Sequence, residues 1–341
     1  MDDRHADRSM SRRGFVGALG LAGTAGLLGV RPQPADAEPP PETTKVRLYK
    51  FPGLCLAPQY VAEDLLRAEG FTDVQYLDFP EGAVGVHERV GSSAVDFTQW
   101  YGVPFIEEID RGRPIVLLAG VHIGCTELFA TERIRAFRDL KGKTVAVAVG
   151  SPAQSILAAM LAYVGLDHRK DLTFAPHSPA ESVRLLAEAK IDAFLATPPW
   201  GQELRAKKIG HTIVNTAVDR PWSQYFCCMF IGNTEYVRKY PVATKRVLRA
   251  ILKADQICAL EPERVARTMV DRGFTKNYEH ALQTMRDVPY GKWRQYDPED
   301  MVRFYALRLR EAGLIKATPQ KILADGTDWR FLNELKKELK G

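Results

Sequence analysis

The chain has 341 residues, of which 45% are hydrophobic and 26% charged, so it has the composition of an ordinary globular protein and enough length for one large domain or two lobes. Its net charge of +5 is mild, and the basic residues are scattered among acids, which argues against a nucleic-acid partner. GxSxG, Walker A and GxGxxG motifs are absent, and the histidines show no HxH or HExxH spacing, so no common catalytic signature is present.

Residues 1–37 have the pattern of an export signal and are set apart from the fold. The twin-arginine pair Arg12-Arg13 is followed after one glycine by an aromatic and an aliphatic residue, and an uncharged run rich in glycine and alanine occupies 14–30. Ala35-Asp36-Ala37 has the small-x-small form of a cleavage site. We expect export by the twin-arginine route, cleavage after Ala37 and a periplasmic location. A membrane anchor is the alternative, but the run is short for a span and diluted by glycine.

Strand patterns then alternate with helical ones. The predicted strands are 45–51, 74–77, 94–98 and 115–121, and the predicted helices are 59–69, 80–90 and 104–111. This alternation predicts a parallel sheet in an α/β lobe.

A second α/β unit follows, with strands predicted at 143–149, 172–175, 192–197 and 211–215 and helices at 152–164, at 179–189 and after 200. At its first junction Ser151 takes the N-cap position and Pro152 the first helical position, so the free amides and the hydroxyls of Ser151 and Ser155 are expected to face a polar or anionic group. Ordinary capping of a strand-to-helix turn is the alternative interpretation.

The remaining pattern places two crossings between the units. The apolar run 225–231 is expected to return to the first unit, and from 234 the chain is helical, with prolines near helix starts. We therefore predict one lobe from 45–130 plus 226–341, a second from 131–225, and a cleft between them where strand ends and helix starts converge.

Several short motifs in this order carry a resemblance. They are Ala57-Pro58-Gln59-Tyr60-Val61-Ala62, Val95-Asp96-Phe97, Asp139-Leu140-Lys141-Gly142-Lys143, Ile191-Asp192-Ala193-Phe194 followed by Pro199-Trp200, and Tyr236 to Pro241. Together with the export signal they make the chain resemble the extracytoplasmic solute-binding proteins of ABC importers, in the NMT1-like and SsuA-like family of nitrate, sulfonate, taurine and thiamine-pyrimidine binders.

The resemblance implies a periplasmic-binding-protein fold of type II, with two α/β lobes, a two-strand hinge and C-terminal helices. Such a protein closes on a small molecule and delivers it to permease and ATPase subunits at the inner membrane. We accordingly expect a monomer that is not an enzyme, with no cofactor, no catalytic residue and no metal.

The ligand loops of the family correspond here to 52–59, 99–102, 120–124, 150–155, 198–200 and 222–227. From these loops the expected ligand-binding residues are Cys55, Gln59, Gln99, Trp100, Tyr101, His122, Ser151, Gln154, Ser155, Pro199, Trp200, Tyr225 and Cys227. Trp100-Tyr101 replaces small residues common in the family, which favours a flat or bulky organic anion, sulfonate- or carboxylate-like, over nitrate.

The five cysteines show no CxxC spacing, and we expect at most one disulfide. Cys227 and Cys228 are adjacent in a predicted strand, so they are expected to point to opposite faces and not to share a metal ion. The alternative function is an enzyme, or a pyrimidine-precursor binder, similar to the thiamine-pyrimidine synthases, although the cysteine patch of those enzymes is longer. A sensor subunit that signals to a membrane kinase is a third hypothesis.

Overall fold

The computed structural model describes residues 38–51, 53–78, 85–147 and 152–339. Residues 40–341 form one compact unit, which contains both lobes. The expected export signal, part of the helix predicted at 80–90, the end of the strand predicted at 143–149 and the expected ligand residue Ser151 lie outside the described residues.

Ten strands and fourteen α-helices occur in the described part of the chain. The strands are β1 Lys45–Tyr49, β2 Asp73–Leu77, β3 Phe97–Tyr101, β4 Ile115–Ile123, β5 Glu127–Ala130, β6 Lys143–Val147, β7 Leu172–Pro176, β8 Ala193–Ala196, β9 His211–Asn215 and β10 Phe226–Asn233. The helices are α1 Ala57–Val61, α2 Glu63–Ala68, α3 Val86–Gly91, α4 Gly102–Asp110, α5 Ala153–Tyr163, α6 Pro179–Ala187, α7 Trp200–Lys207, α8 Thr234–Lys239, α9 Pro241–Leu260, α10 Pro262–Asp271, α11 Tyr278–Asp287, α12 Pro298–Glu311, α13 Pro319–Gly326 and α14 Arg330–Glu338.

The strands form two mixed sheets, one in each lobe. The first has the order β2-β1-β3-β10-β4. In it β1 is parallel to β2 and β3, whereas β10 is antiparallel to β3 and β4. The second has the order β7-β6-β8-β5-β9. In it β6 is parallel to β7 and β8, whereas β5 is antiparallel to β8 and β9. The antiparallel strands are the two that follow the crossings: β5 is the first strand after the chain enters the second lobe, and β10 is the first after it returns to the first lobe. The predicted parallel alternation therefore describes each sheet except at its crossing strand.

The boundary of the first lobe differs from the prediction. Strand β5 pairs with β8 and β9, so 127–130 belongs to the second lobe and the first crossing lies at 124–126. A four-residue apolar strand suits either sheet, so only the pairing decides its lobe.

Strand β3 also differs from its predicted position of 94–98. It runs over Phe97–Tyr101, and all five of its residues are buried. A strand covered on both faces has no polar alternation to mark its ends, so the sequence pattern placed it three residues early.

Prolines start the helices of the C-terminal part, as predicted. Pro241, Pro262, Pro298 and Pro319 open α9, α10, α12 and α13, where the missing N–H costs no hydrogen bond. Asp297 and Thr318 cap α12 and α13 by accepting from the backbone N–H groups of Glu299 and Lys321. Among the described helices, none combines the length and apolar character needed to cross a bilayer.

Candidate functional site

Two chain segments cross between the lobes, and a threonine pair joins them. The Thr216 hydroxyl accepts from the backbone N–H groups of Cys125 at 3.1 Å and Thr126 at 3.0 Å, and it donates to the Thr126 carbonyl oxygen at 2.9 Å. Gly124 has a φ of +37°, and a Cβ there would lie 2.3 Å from backbone atoms of Ala217. The crossings touch where only glycine fits, and this contact is the hinge of the two-lobe fold.

A small cavity lies between the lobes beside this hinge. Its volume is about 10 Å³, close to that of a single water probe, so the lobes are closed on each other. The first lobe contributes Val103 and Tyr305, and the second contributes Ile156. The crossings supply the rest of the lining, which is Gly124, Thr126, Thr216, Trp222, Tyr225 and Cys227. We call this space the interlobe cavity.

One polar contact closes the cleft through Asp287, at the end of α11 in the first lobe. Its carboxylate accepts from the Gln202 amide of the second lobe at 3.1 Å and forms an ion pair with Arg205 of the same lobe. Arg205 also pairs with Glu127, which lies in its own lobe. A charge bound by both lobes stabilises the closed arrangement over an open one.

A second closing contact lies at the start of α5. The Ser155 hydroxyl of the second lobe lies close enough to the Glu107 carboxylate of the first lobe to favour its charged form. The Glu107 side chain is only 12% exposed, and burial raises its pKa although Ser155 and Arg111 oppose that shift. In the closed arrangement, a carboxylate of the chain itself therefore lies near Ser155 in the first turn of α5, the helix start that the sequence predicts as an anion site.

Aromatic rings complete the contact between the lobes. Tyr163 of α5 meets Trp222 and Phe304 edge-on or tilted, with ring centroids 5.2 and 5.8 Å apart. Phe304 in turn stacks on Tyr225 at 4.2 Å. Of these rings, Trp222 and Tyr225 line the interlobe cavity, and their flat apolar surfaces suit an organic ligand.

Two expected ligand residues, Gln59 and Gln99, face the interior of the first lobe. Gln59 donates to the Tyr49 carbonyl oxygen at 2.8 Å and accepts from the Gln99 backbone N–H at 2.8 Å. The Gln99 amide donates to the Cys55 carbonyl oxygen at 3.1 Å. Both glutamines are fully buried, so their amides join β1, β3 and the turn before α1 and do not line the interlobe cavity.

Trp100 and Tyr101 lie within β3 and not in the expected loop at 99–102. Trp100 packs edge-on against Tyr49 and Phe51, with ring centroids 6.0 and 4.7 Å away. Both residues are 5% exposed, because the strand continues through them into the interior of the first lobe.

Six further expected residues divide into two groups. Tyr225, Cys227 and, through Glu107, Ser155 lie at the contact between the lobes. Gln154 is exposed, and half-buried Trp200 packs against the core of the second lobe, directly after Pro199. A larger groove of about 540 Å³, which contains Tyr225 and Phe304, lies open beside α12. Its Asp297 and Asp300 carboxylates would disfavour an anion, because Arg303, the one cation among its described lining residues, already pairs with Glu299.

A cluster of sulfur and histidine side chains lies where the hinge joins the first lobe. Potential metal-binding atoms of Cys55, His122, Cys125 and Cys228 all lie within 4.8 Å of one another. Each of these residues is at most 7% exposed. They come from the turn before α1, from β4, from the hinge and from β10, so no sequence motif joins them. We call these four residues the thiol–histidine cluster.

Cys227 and Cys228 do not point apart as expected. The pairing of β10 with β4 shifts register on both sides of Cys228, and this bulge lets both thiols interact with Cys125. The Cys125 and Cys227 sulfur atoms are 3.2 Å apart. Burial opposes ionisation of Cys227, but hydrogen bonds with Cys125 and Cys228 outweigh it and lower the pKa of this thiol to about 6.

Glu107, Asp287 and Tyr305 were not among the expected site residues. Each lies on a helix with ordinary amphipathic patterning, and their roles depend on which lobe surface they meet. The contact of Asp287 with α7 crosses more than eighty residues of sequence, so no local signal could have identified it.

Comparisons with known proteins agree with this architecture. The model of the NMT1-like family matches residues 39–271. The alkanesulfonate-binding protein SsuA from Xanthomonas axonopodis pv. citri, bound to MOPS, superimposes with a TM-score of 0.67 at 18% identity, covering 86% of this chain and 99% of that one. The periplasmic nitrate-binding protein NrtA from Synechocystis PCC 6803 gives 0.71 at 16% identity, with 89% and 90% covered.

The desulfurization enzyme DSZB is similar as well, with a TM-score of 0.61 at 16% identity and 86% and 99% of the two chains covered. No curated protein sequence matches the chain. At these identities the likenesses establish the fold alone. They confirm the predicted periplasmic-binding-protein architecture of two α/β lobes with C-terminal helices.

Proposed function

Because the chain belongs to the NMT1-like family, as its motifs predicted, we propose that it is the extracytoplasmic solute-binding component of an ABC importer and captures a small organic anion between its lobes. The observation that carries this proposal is the hinge at Thr126 and Thr216 together with closing contacts made by side chains of both lobes. A protein built to open and close on one axis is suited to trapping a solute. The similarity to SsuA and NrtA supports the same class of function.

The chemistry of the cleft supports an anion with an apolar or aromatic body. In the closed arrangement the Glu107 carboxylate lies near Ser155 in the first turn of α5, so a negative group already faces this helix start. Trp222 and Tyr225 supply flat surfaces in the interlobe cavity, which Ile156 near the start of the same helix also lines. A sulfonate or carboxylate that displaces Glu107 when the lobes open would gain both interactions.

The same proposal includes a location and partners. The twin-arginine pattern and the Ala35-Asp36-Ala37 site would deliver the folded chain to the periplasm with cleavage after Ala37. There it would act as a monomer and deliver its solute to permease and ATPase subunits at the inner membrane.

An enzyme of the thiamine-pyrimidine-synthase type is the second candidate. The buried His122 and the three cysteines around it favour it, since this set resembles the polar groups of a catalytic centre. The desulfurization enzyme DSZB has a similar fold, so this fold is compatible with catalysis. The two functions differ in turnover, because a binding protein releases its ligand unchanged.

A thermal-shift screen of the exported protein tests the proposal. The panel contains aliphatic and aromatic sulfonates, carboxylates of matched shape, nitrate and thiamine precursors, with trimethylammonium analogues as charge-reversed controls. A ligand at about a hundred times its dissociation constant adds roughly 2.7 kcal/mol to the free energy of unfolding. Stabilisation by a sulfonate or carboxylate but not by its cationic analogue is the expected result.

Two results would contradict the proposal. Chemical conversion of a stabilising compound, followed by mass spectrometry, would identify an enzyme. Stabilisation by the cationic analogues alone would exclude an anionic solute.

A further inference from the structure

The thiol–histidine cluster has the donor set of a metal site. Its members Cys55, His122, Cys125 and Cys228 bring three sulfur atoms and one imidazole nitrogen within 4.8 Å of one another. A tetrahedral zinc site with three thiolates and one imidazole places its donors about 3.5–3.8 Å apart. The donors would therefore have to approach by no more than about 1.3 Å, which side-chain rotations can supply.

The histidine of this cluster has one nitrogen without a partner. His122 is fully buried, and its Nδ1 lies 3.2 Å from the Ile123 carbonyl oxygen, to which it donates when that nitrogen carries the proton. Its Nε2 finds no hydrogen-bond partner among the described residues. A buried nitrogen lone pair without a donor is unfavourable, unless a cation binds there. A carbonyl that fixes the tautomer of the ring is also the usual second partner of a metal-binding histidine.

The surrounding groups hold the donors in place. The Tyr101 hydroxyl lies 3.4 Å from the Cys55 sulfur, where it can donate to a thiolate. The Cys55 carbonyl oxygen accepts from Gln99 and from Tyr290, both at 3.1 Å. The Thr216 hydroxyl fixes the backbone N–H of Cys125. These contacts fix the positions of two ligands from distant parts of the chain, as hydrogen bonds to the ligand residues do in metal sites.

From this geometry we propose that Cys55, His122, Cys125 and Cys228 bind one thiophilic divalent metal ion, with Zn²⁺ as the first candidate. Sulfur donors select soft ions, and a closed four-donor set of this kind is typical of a structural zinc site. Since Cys125 belongs to the hinge and the other three ligands to the first lobe, the ion would anchor the hinge to that lobe. The proposal does not depend on the identity of the solute.

The competing fate of these thiols is oxidation. The Cys125 and Cys227 sulfur atoms lie 3.2 Å apart, and a disulfide between them would remove Cys125 from the donor set. Intact mass spectrometry of protein isolated without reductant separates the two outcomes, because the disulfide lowers the mass by two hydrogens and leaves three free thiols instead of five.

Metal titration of the full chain is the direct test. The chain, expressed with its own N-terminal segment, is reduced, treated with a chelator, desalted and titrated with Co²⁺ and then Zn²⁺. We expect one equivalent per chain, an intense visible spectrum of tetrahedral Co²⁺ with a thiolate-to-cobalt charge-transfer band, and displacement of Co²⁺ by Zn²⁺. Elemental analysis of the untreated protein measures the ion acquired in the cell.

Substitutions then identify the ligands. Cys55→Ser, Cys228→Ser and His122→Gln should each weaken Zn²⁺ binding by at least about 100-fold, and Tyr101→Phe by about 10- to 100-fold. Cys258→Ser is the matched control, since Cys258 is equally buried but lies in α9 outside the cluster. Cys227→Ser should also retain the metal. Circular dichroism and urea unfolding identify any variant that fails to fold.

Four results would overturn the proposal. They are binding of less than half an equivalent by reduced protein, a weak octahedral Co²⁺ spectrum, unchanged affinity in folded Cys228→Ser and His122→Gln variants, and a Cys125–Cys227 disulfide in metal-free protein from the periplasm. The proposal would also be refuted if only misfolded variants lost metal binding, because the four residues would then have no demonstrated role as ligands.

Discussion

Removal of one charge at the contact between the lobes should open the protein. Asp287 accepts hydrogen bonds from Gln202 and Arg205 of the opposite lobe, and Asp287→Asn keeps the shape of the side chain but removes its charge. Arg205 stays paired with Glu127, so the second lobe keeps its own ion pair. Among the described residues of its own lobe, the Asp287 carboxylate accepts only an exposed hydrogen bond from Gln283, so the substitution acts mainly on closure, with little effect on the stability of either lobe.

The magnitude follows from the exposure of the pair. Hydrogen bonds to charged groups contribute about 1.5–3 kcal/mol when buried, and exposed ion pairs contribute about 0.2–1 kcal/mol. The Arg205 and Asp287 side chains are 34% and 29% exposed, which places their contribution between these limits. A loss of about 1.4 kcal/mol would change the ratio of open to closed molecules roughly tenfold.

Small-angle scattering without solute measures this change. We expect a larger radius of gyration for Asp287→Asn than for the unmodified chain, and a difference that shrinks at high salt. The control is Glu203→Gln, which removes an ion pair with Lys207 inside α7 and touches no residue of the first lobe through that pair. Equal scattering of Asp287→Asn and the unmodified chain, or equal expansion of Glu203→Gln, would refute the role of Asp287 in closure.

Three further predictions concern the hinge, a buried acid and the anion site. Gly124→Ala should lower the free energy of unfolding by several kcal/mol, since its Cβ would lie 2.3 Å from the Ala217 backbone. The control Gly142→Ala, at a φ of +75° with open space around it, should lower it by only about 1 kcal/mol. Urea unfolding measures both, and the reverse order would contradict the prediction. Burial holds the pKa of Asp255 well above its usual range, so the free energy of unfolding should fall as pH rises from the ordinary aspartate pKa of about 3.9 to the raised pKa. Asp255→Asn should lack this fall and be more stable at neutral pH. If urea unfolding gave the same pH dependence of stability for both proteins, this explanation would be wrong. Burial also raises the pKa of Glu107, so binding of an anionic solute should strengthen as pH falls toward that raised pKa. Glu107→Gln should bind the solute more tightly at neutral pH and should lack this pH dependence. Titration calorimetry at two pH values measures both effects.

The order of helices and strands was accessible from local patterns. The alternation of apolar strands with amphipathic helices predicted both α/β lobes, and Pro241, Pro262, Pro298 and Pro319 predicted helix starts, because a residue without an N–H fits best in the first turn. The errors arose where local pattern carries no direction. Strand β3 is buried on both faces, so its ends were displaced, and β5 is too short for its sequence to specify a sheet.

The candidate site depended much more on the tertiary structure. The sequence by itself determined that the chain belongs to a two-lobe family with an interlobe cleft, and it indicated Tyr225 and Cys227, which line the interlobe cavity. Only the packing of the lobes placed Glu107 against Ser155 and brought the thiol–histidine cluster together, with a bulge in β10 turning Cys228 toward the hinge. These contacts join residues far apart in the chain, and their distances are fixed by sheet register and lobe closure, which no local pattern of residues encodes.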